Sequence, residues 1–460
     1  MSSVTVLGPG SFRDPAGSLV MQEDRAVRTV FPEHAQDILA FLDSPVARNW
    51  TQTGRLIPTE VIETWKPGLT LQLAHPRIFF PSYSWEWTPA QLSAAAELTL
   101  DLCEDLISAG WILKDATPSN VLFEGGKPIF VDLLSVERRD LENPIWLACG
   151  QFIRTFLLPL AACGRLGWPL AAMLGRRDGY EPEELFHVLG PAQRLFAPWR
   201  SLVTFPVWLG NRRSVRSSPT MRRPAPVAEA ILRRTLRSLR RTLREVTPAA
   251  VQSRWSTYEQ TARHYSPEDW NSKRDFVNDC LLAAGPRYVL DIGGNAGFFS
   301  RMAASTGARV VAWDADAATT EQAWLLARQA QADVLPLVAD LARPTPAVGW
   351  NNAEMLSLLS RSRGRFDLVM MLAVLHHLLV QAQIPMDHVA SLTRELTRDW
   401  LLIEWVGPED EKFRALSNGR DSLFGHLTEE RFIASFSRYF EPVRRAALAN
   451  GRSLHLFRIK

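Results

Sequence analysis

Several acids in this sequence stand where apolar runs end, and their neighbours suggest what they could bind. The run Tyr288-Val289-Leu290-Asp291-Ile292 leads into Gly293-Gly294-Asn295-Ala296-Gly297. A buried parallel strand followed by closely spaced glycines is what a sharp strand-to-helix turn beside a nucleotide needs, because glycine lets the backbone approach the ligand. Arg309-Val310-Val311-Ala312-Trp313-Asp314 is a second such run, with its acid where an adenosine ribose would offer hydroxyls. Val334-Leu335-Pro336-Leu337-Val338-Ala339-Asp340 is a third. Each Asp alone could be a helix N-cap, but three at successive strand ends argue against that reading.

Three carboxylates suit a neutral or cationic adenosine ligand better than a pyrophosphate, which needs a helix N-terminus with few acids nearby. The balance favours S-adenosylmethionine (SAM) over a dinucleotide. Methyl transfer from a sulfonium is an in-line displacement, so the protein must align donor and acceptor and remove the acceptor's proton. Ligands of open α/β sheets bind beyond the carboxyl ends of the strands. This assigns Asp291, Gly293, Gly294, Asn295 and Gly297 to the methionine and ribose moieties, Asp314 to the ribose hydroxyls, and Asp340 with the Leu341 backbone to the adenine amino edge. His376 and His377 follow the fourth expected strand and are candidate general bases, since an unperturbed imidazole titrates near pH ~6.5. The alternative for either is simple packing. Glu404, ending the fifth strand, and His426 are further candidates; the spacing of His376, His377 and Glu404 is not specific for a metal, and none is expected.

A second constellation lies earlier. Asp115, Asn120 and, after Gly125-Gly126 and an apolar run, Asp132 follow a helical stretch of Leu92, Ala95, Ala96, Leu98, Thr99, Leu102, Leu106 and Ile107 that stops at Gly110. In a kinase-type catalytic loop the first Asp orients the acceptor hydroxyl while the Asn and second Asp hold magnesium on the phosphates. These residues are thus a candidate nucleotide and magnesium site. No GxGxxG loop precedes them, Lys66 is the candidate phosphate lysine, and Leu133-Leu134 follows Asp132 where a kinase carries Phe-Gly.

Elements positioning the first set alternate: helices to about Ser305, over Ala317 to Ala330, Trp350 to Ser360, Met386 to Thr397 and Glu429 to Tyr439, strands over Phe366 to Leu372 and Trp400 to Glu404. Val443 to Ala449 and Ser453 to Ile459 flank Asn450-Gly451, a tight hairpin turn. Asp291 to Gly297 with Asp314 and Asp340 resembles class I SAM-dependent methyltransferases, whose Rossmann-like, mostly parallel seven-stranded sheet ends in such a hairpin. Trp350-Asn351-Asn352, Leu375-His376-His377 and Ile403-Glu404-Trp405-Val406-Gly407-Pro408-Glu409-Asp410 resemble a bacterial two-part family of nodulation-protein-like methyltransferases. Asp115 to Asp132 resembles the core of aminoglycoside-phosphotransferase-like and protein kinases, which implies a degenerate α+β kinase-like domain.

At 460 residues the chain is too long for one core. The expected domains are 1–200, kinase-like; 201–250, an Arg-rich connector; and 251–460, the methyltransferase. In the connector Leu232, Leu236, Leu239 and Leu243 form a stripe between Arg233, Arg234, Arg237, Arg240, Arg241 and Arg244, read as a packed stripe with a solvated face. Short runs at Val27 to Val30 and Leu56-Ile57-Pro58 read as strands. Tyr258, His264, Tyr265, Trp270 and Lys273 precede the first methyltransferase strand as a candidate aromatic lid or as packing. A net charge of +3 demands no polyanionic partner, and no nucleic acid is expected. Cys103, Cys149, Cys163 and Cys280 are dispersed, and the N-terminus lacks a basic region before an apolar core, so a reduced, cytoplasmic protein without a transmembrane segment is expected. The expectation is a SAM-dependent methyltransferase acting on O or N of a small-molecule or saccharide-type metabolite, with a bifunctional kinase/methyltransferase or a noncatalytic SAM-binding pseudokinase scaffold as alternatives.

Overall fold

Apolar runs alternating with helices after residue 266 can bury both faces of a sheet only if the strands lie parallel between helical layers. The computed structural model describes residues 6–7, 13–62, 65–210, 222–249 and 266–460. It divides into two units: Met1–Phe123, Pro128–Ala249 and Gly349–Met355 form one, and Glu124–Lys127, Ala250–Val348 and Leu356–Lys460 the other.

In the first unit β1 (Val6–Leu7), β2 (Gly17–Met21), β3 (Arg25–Val30), β4 (Glu60–Val61) and β5 (Leu71–Pro76) form an antiparallel sheet in the order β1-β2-β3-β5-β4. Leu56 makes only an isolated bridge to Phe130, so the run at 56–58 is not a strand. The expected helix spans Pro89–Ser108, entered through a capping box in which Thr88 Oγ1 accepts from the Gln91 N–H at 3.3 Å and Gln91 Oε1 from the Thr88 N–H at 2.8 Å. Gly110 follows at φ +79°. Next come β6 (Trp111–Leu113), β7 (Val121–Glu124), β8 (Lys127–Phe130) and β9 (Val136–Arg138), pairing as β6-β9 and β7-β8. The Arg-rich helix, Ala225–Val246, buries Leu232, Leu236, Leu239 and Leu243, while Arg240 reaches Asp101 at 2.8 Å and Glu104 at 3.2 Å on the helix Pro89–Ser108. Its leucine stripe is packed against protein.

The second unit holds a seven-stranded sheet of β10 (Tyr288–Ile292), β11 (Arg309–Asp314), β12 (Val334–Val338), β13 (Phe366–Met371), β14 (Thr397–Trp405), β15 (Phe440–Ala447) and β16 (Ser453–Ile459). The order is β12-β11-β10-β13-β14-β16-β15, parallel except for the last strand, β16, which pairs antiparallel with β14 and β15. The chain builds outward from β10 to β12 and then returns to β13 on the other side, so β10 and β13 flank the switch point where such sheets open a crevice. The helix expected over 350–360 is instead one turn at Trp350–Asn352, with Asn351 and Asn352 at φ +54° and +52°, and a separate Ser357-capped turn Leu358–Ser362. Left-handed residues cannot continue an α-helix.

Candidate functional site

At the carboxyl ends of β10, β11 and β13 a cavity of about 790 Å³ opens, lined among others by Asp291, Gly293, Asn295, Asp314, Asp340 and His377. Gly294 and Leu341 line it too. The turn after β10 is shaped by close approach: Gly293 has φ +73°, and a Cβ there would meet Val374 Cγ2 at 2.1 Å. Ala373, next to Val374, holds the left-handed conformation at φ +58°. Gly297 does not line the cavity. It caps the helix Phe298–Ser305 at φ +78°, and a Cβ would lie 3.2 Å from Ala323 Cβ, so close helix packing there favours glycine.

The three acids differ in environment. Asp291 is 2 % exposed and accepts from Ser300 Oγ at 2.5 Å. Burial pushes its carboxyl up to about 6, the Ser300 bond opposing and Asp314 adding to the rise. Asp314 accepts from the N–H groups of Asn295 and Asp316, both at 2.9 Å, and burial raises it against those bonds. Asn295, at φ +48°, is thereby tied to the end of the neighbouring strand. Asp340 accepts from the Ala342 N–H at 2.8 Å and pairs with Arg343 at 3.0 Å.

The candidate bases separate. His377 lines the cavity and opens a π-helical turn, His377–Gln381; its Nδ1 lies 3.4 Å from Gln381 Oε1. Burial lowers its pKa, with Gln381 opposing and Arg452 contributing. His376 packs behind it, ring centroids 4.4 Å apart, 2 % exposed and off the cavity, with Nδ1 unpaired. Burial, His377, Arg452 and Lys273 hold it well below the usual imidazole range, which favours the neutral ring. Glu404 is fully buried and off the cavity, 2.6 Å from Lys273 Nζ and 3.6 Å from Arg452 Nη1. Arg452 in turn binds Asp410 at 2.7 Å. Two cations thus flank Glu404. His426 is exposed and away from the cavity. Trp270 and Lys273 line the cavity, whereas Tyr258, His264 and Tyr265 lie outside the described residues.

In the first unit Asp115, Asn120 and Asp132 come together. Asn120 Nδ2 donates to Ser135 Oγ at 3.0 Å and to the Asp115 carbonyl at 3.4 Å, and Ser135 Oγ donates to Asp132 at 2.5 Å. Burial raises the Asp115 pKa, with Lys114 opposing. Lys66 is exposed in a loop, and the cation that reaches Asp132 is Arg28 of β3, at 3.1 Å. Sequence reasoning missed Arg28, although strand alternation puts it on the same face as the buried Ala26 and Val30. It also missed Ser300 and Arg452. Arg452 directly follows the Asn450-Gly451 turn, and nothing local announces that its charge is buried.

Residues 290–399 match a family model described as a methyltransferase domain. Over 472 residues the chain is 29 % identical to nodulation protein NoeA of Rhizobium meliloti (strain 1021), covering 97 % of this chain and 95 % of that one. Among solved structures it is similar to the N-methyltransferase NodS from Bradyrhizobium japonicum WM9, with TM-score 0.32 and 16 % identity over 42 % of this chain and 98 % of that one. It is also similar to the magnesium protoporphyrin IX methyltransferase ChlM from Synechocystis PCC 6803 with bound SAH, with TM-score 0.31 and 18 % identity over 42 % and 84 %. Among the described residues no helix is long and apolar enough to cross a membrane. With Asp291, Asp314 and Asp340 all inside the segment that matches the methyltransferase domain, the chain is a SAM-dependent methyltransferase, and S-adenosylmethionine is its cofactor.

Proposed function

We propose that the enzyme methylates an oxygen or nitrogen of a small-molecule or saccharide-type metabolite, with His377 as the general base. The observation that carries this reading is the single cavity shared by three strand-end carboxylates and one imidazole. Its volume of about 790 Å³ falls within the range of small-molecule sites. Bound there, SAM supplies an electrophilic methyl group. Asp291, ionised above about pH 6, attracts the cationic methionine end. The Gly293-Gly294-Asn295 turn lies along the chain, Asp314 accepts from the ribose, and Asp340 with Leu341 borders the adenine. Gln381 Oε1 lies 3.4 Å from His377 Nδ1, and in the tautomer with the proton on Nδ1 the imidazole takes the acceptor's proton at Nε2. Calorimetric titration with SAM, repeated on Asp291→Ala, tests the cofactor site, and transfer of labelled methyl groups into acceptor pools tests the substrate class. Saturable binding that survives Asp291→Ala refutes the assignment of that carboxylate.

A second reading concerns the first unit: a kinase-like scaffold that does not transfer phosphate. It is favoured by Arg28 and Ser135, which engage Oδ1 and Oδ2 of Asp132, the carboxylate that would otherwise face magnesium. Magnesium-ATP should give no thermal shift with wild type and a measurable one with Arg28→Ala. ATP turnover by wild type refutes the reading.

A further inference from the structure

The buried stripe of the helix Pro267–Ala284 runs through Asp269, Lys273, Val277, Cys280 and Leu281. A lysine on such a stripe is unusual, because its charge must leave water and is seldom fully buried without a partner. Lys273 is 3 % exposed, with Nζ 2.6 Å from Glu404 Oε2 and 5.3 Å from the centroid of the Phe299 ring. Arg452 approaches the other oxygen of Glu404 at 3.6 Å and is itself held by Asp410 at 2.7 Å. Glu404 therefore does not depend on Lys273 alone for a counter-charge. A buried ion pair adds little stability over apolar side chains of similar volume. What this one provides is an ammonium fixed in the wall of the cavity, which Lys273 lines together with Asp291 and Phe299.

The inference rests on the reading that SAM occupies this cavity. The methionyl end of SAM carries a carboxylate as well as an ammonium and the sulfonium. The carboxylates of Asp291, Asp314, Asp316 and Asp340 line the cavity and suit the two cationic groups, but they repel the ligand's own carboxylate unless a cation stands beside it. Among the described residues, the lysine and arginine side chains that line the cavity are Lys273 and Arg343. Arg343 is 88 % exposed and pairs with Asp340, at the end assigned to the adenine. Lys273 stands at the methionyl end, where it and Asp291 each favour the other's charged form. An ammonium has three N–H donors, so its bond to Glu404 is compatible with a bond to a ligand carboxylate. Away from water such a charge-assisted bond is strong. Charge balance agrees: Lys273, Arg452, Glu404 and Asp410 together are neutral, which leaves ionised Asp291 to match the net positive charge of SAM.

We propose that Lys273 binds the methionyl carboxylate of SAM. The test is calorimetric titration of the full-length wild type and of Lys273→Met with two ligands, SAM and decarboxylated SAM. Decarboxylation makes the ligand more positive, so the cavity's carboxylates alone would bind it more tightly than SAM; the ammonium of Lys273 reverses that order. Wild type should therefore bind SAM about 10- to 100-fold more tightly than the decarboxylated form. Lys273→Met keeps the side-chain length and leaves Arg452 on Glu404. It should lose SAM affinity by the same factor while binding decarboxylated SAM at least as well as wild type does. Equal or tighter binding of decarboxylated SAM by wild type overturns the contact, leaves the cofactor site standing, and needs no variant to fold. A preference for SAM that persists in Lys273→Met also overturns it, because another group then holds the carboxylate. Equal loss of both ligands in a variant that keeps the wild-type melting temperature assigns Lys273 to the packing of the site and overturns it as well. Failure of wild type to bind either ligand refutes the placing of SAM in this cavity, and the contact with it.

Discussion

Replacing Asp291 by Asn should make the ligand-free methyltransferase unit more stable while removing its affinity for SAM. Asp291 is 2 % exposed, and burial pushes its carboxyl to about 6 from the ordinary 3.8. That rise is equivalent to about 3 kcal/mol of native-state destabilisation once the group is ionised. The folded protein holds this proton more tightly than the unfolded chain, so stability falls as pH rises from about 4 to 6 and is level above. Asn is nearly isosteric, keeps an oxygen to accept from Ser300 Oγ, and carries no charge. The variant should therefore gain about 3 kcal/mol at pH 7.5, about half of that at pH 5, and nothing below pH 4. Hydrogen exchange in peptides covering Tyr288–Ile292 measures the opening free energy of this strand locally, and comparison of variant and wild type at equal pH cancels the intrinsic chemistry. Calorimetry with SAM supplies the functional half. A variant that is less stable at pH 7.5, or whose gain does not shrink on acidification, refutes the argument that burial of a charge for the cofactor is what this position costs.

Three further outcomes follow from the same geometry. His377→Asn should lower kcat by about 10²-fold or more with SAM affinity unchanged; in wild type the acid limb of kcat should fall below pH 6.5, because burial lowers this imidazole. A limb above 7 would contradict that assignment. Glu404→Gln leaves Lys273 and Arg452 facing each other without their shared anion and should cost about 3–5 kcal/mol, read as exchange in β14 and β16. Leu236→Ala, at 1 % exposure in the packed stripe of the Arg-rich helix, should cost about 2–5 kcal/mol in denaturant unfolding of the first unit, whereas a free helix would show almost none.

What could be read from the sequence alone was whatever local periodicity encodes. Runs such as Tyr288 to Ile292 and Arg309 to Asp314 are apolar because parallel strands are covered on both faces, and glycine follows where the chain must turn tightly. Asn450-Gly451 announced the terminal hairpin, and the leucine stripe at 232–243 announced a packed helix. The same locality misled at 350–360, where Asn351 and Asn352 take left-handed conformations that residue type permits but does not demand.

Tertiary structure decided the partnerships. His376 and His377 are adjacent in sequence and alike in chemistry, yet one lines the cavity and the other is sealed behind it, because helical geometry points neighbouring side chains in different directions. Glu404 ends a strand as Asp314 does, but Lys273 and Arg452 arrive from distant parts of the chain and bind it. Arg28 reaches Asp132 from another sheet, and Gly297 faces Ala323 rather than the cavity. A sequence states which groups can ionise and which segments are apolar; the charge a group carries and the atom it faces depend on what long-range packing brings beside it, since burial and neighbouring charge set both.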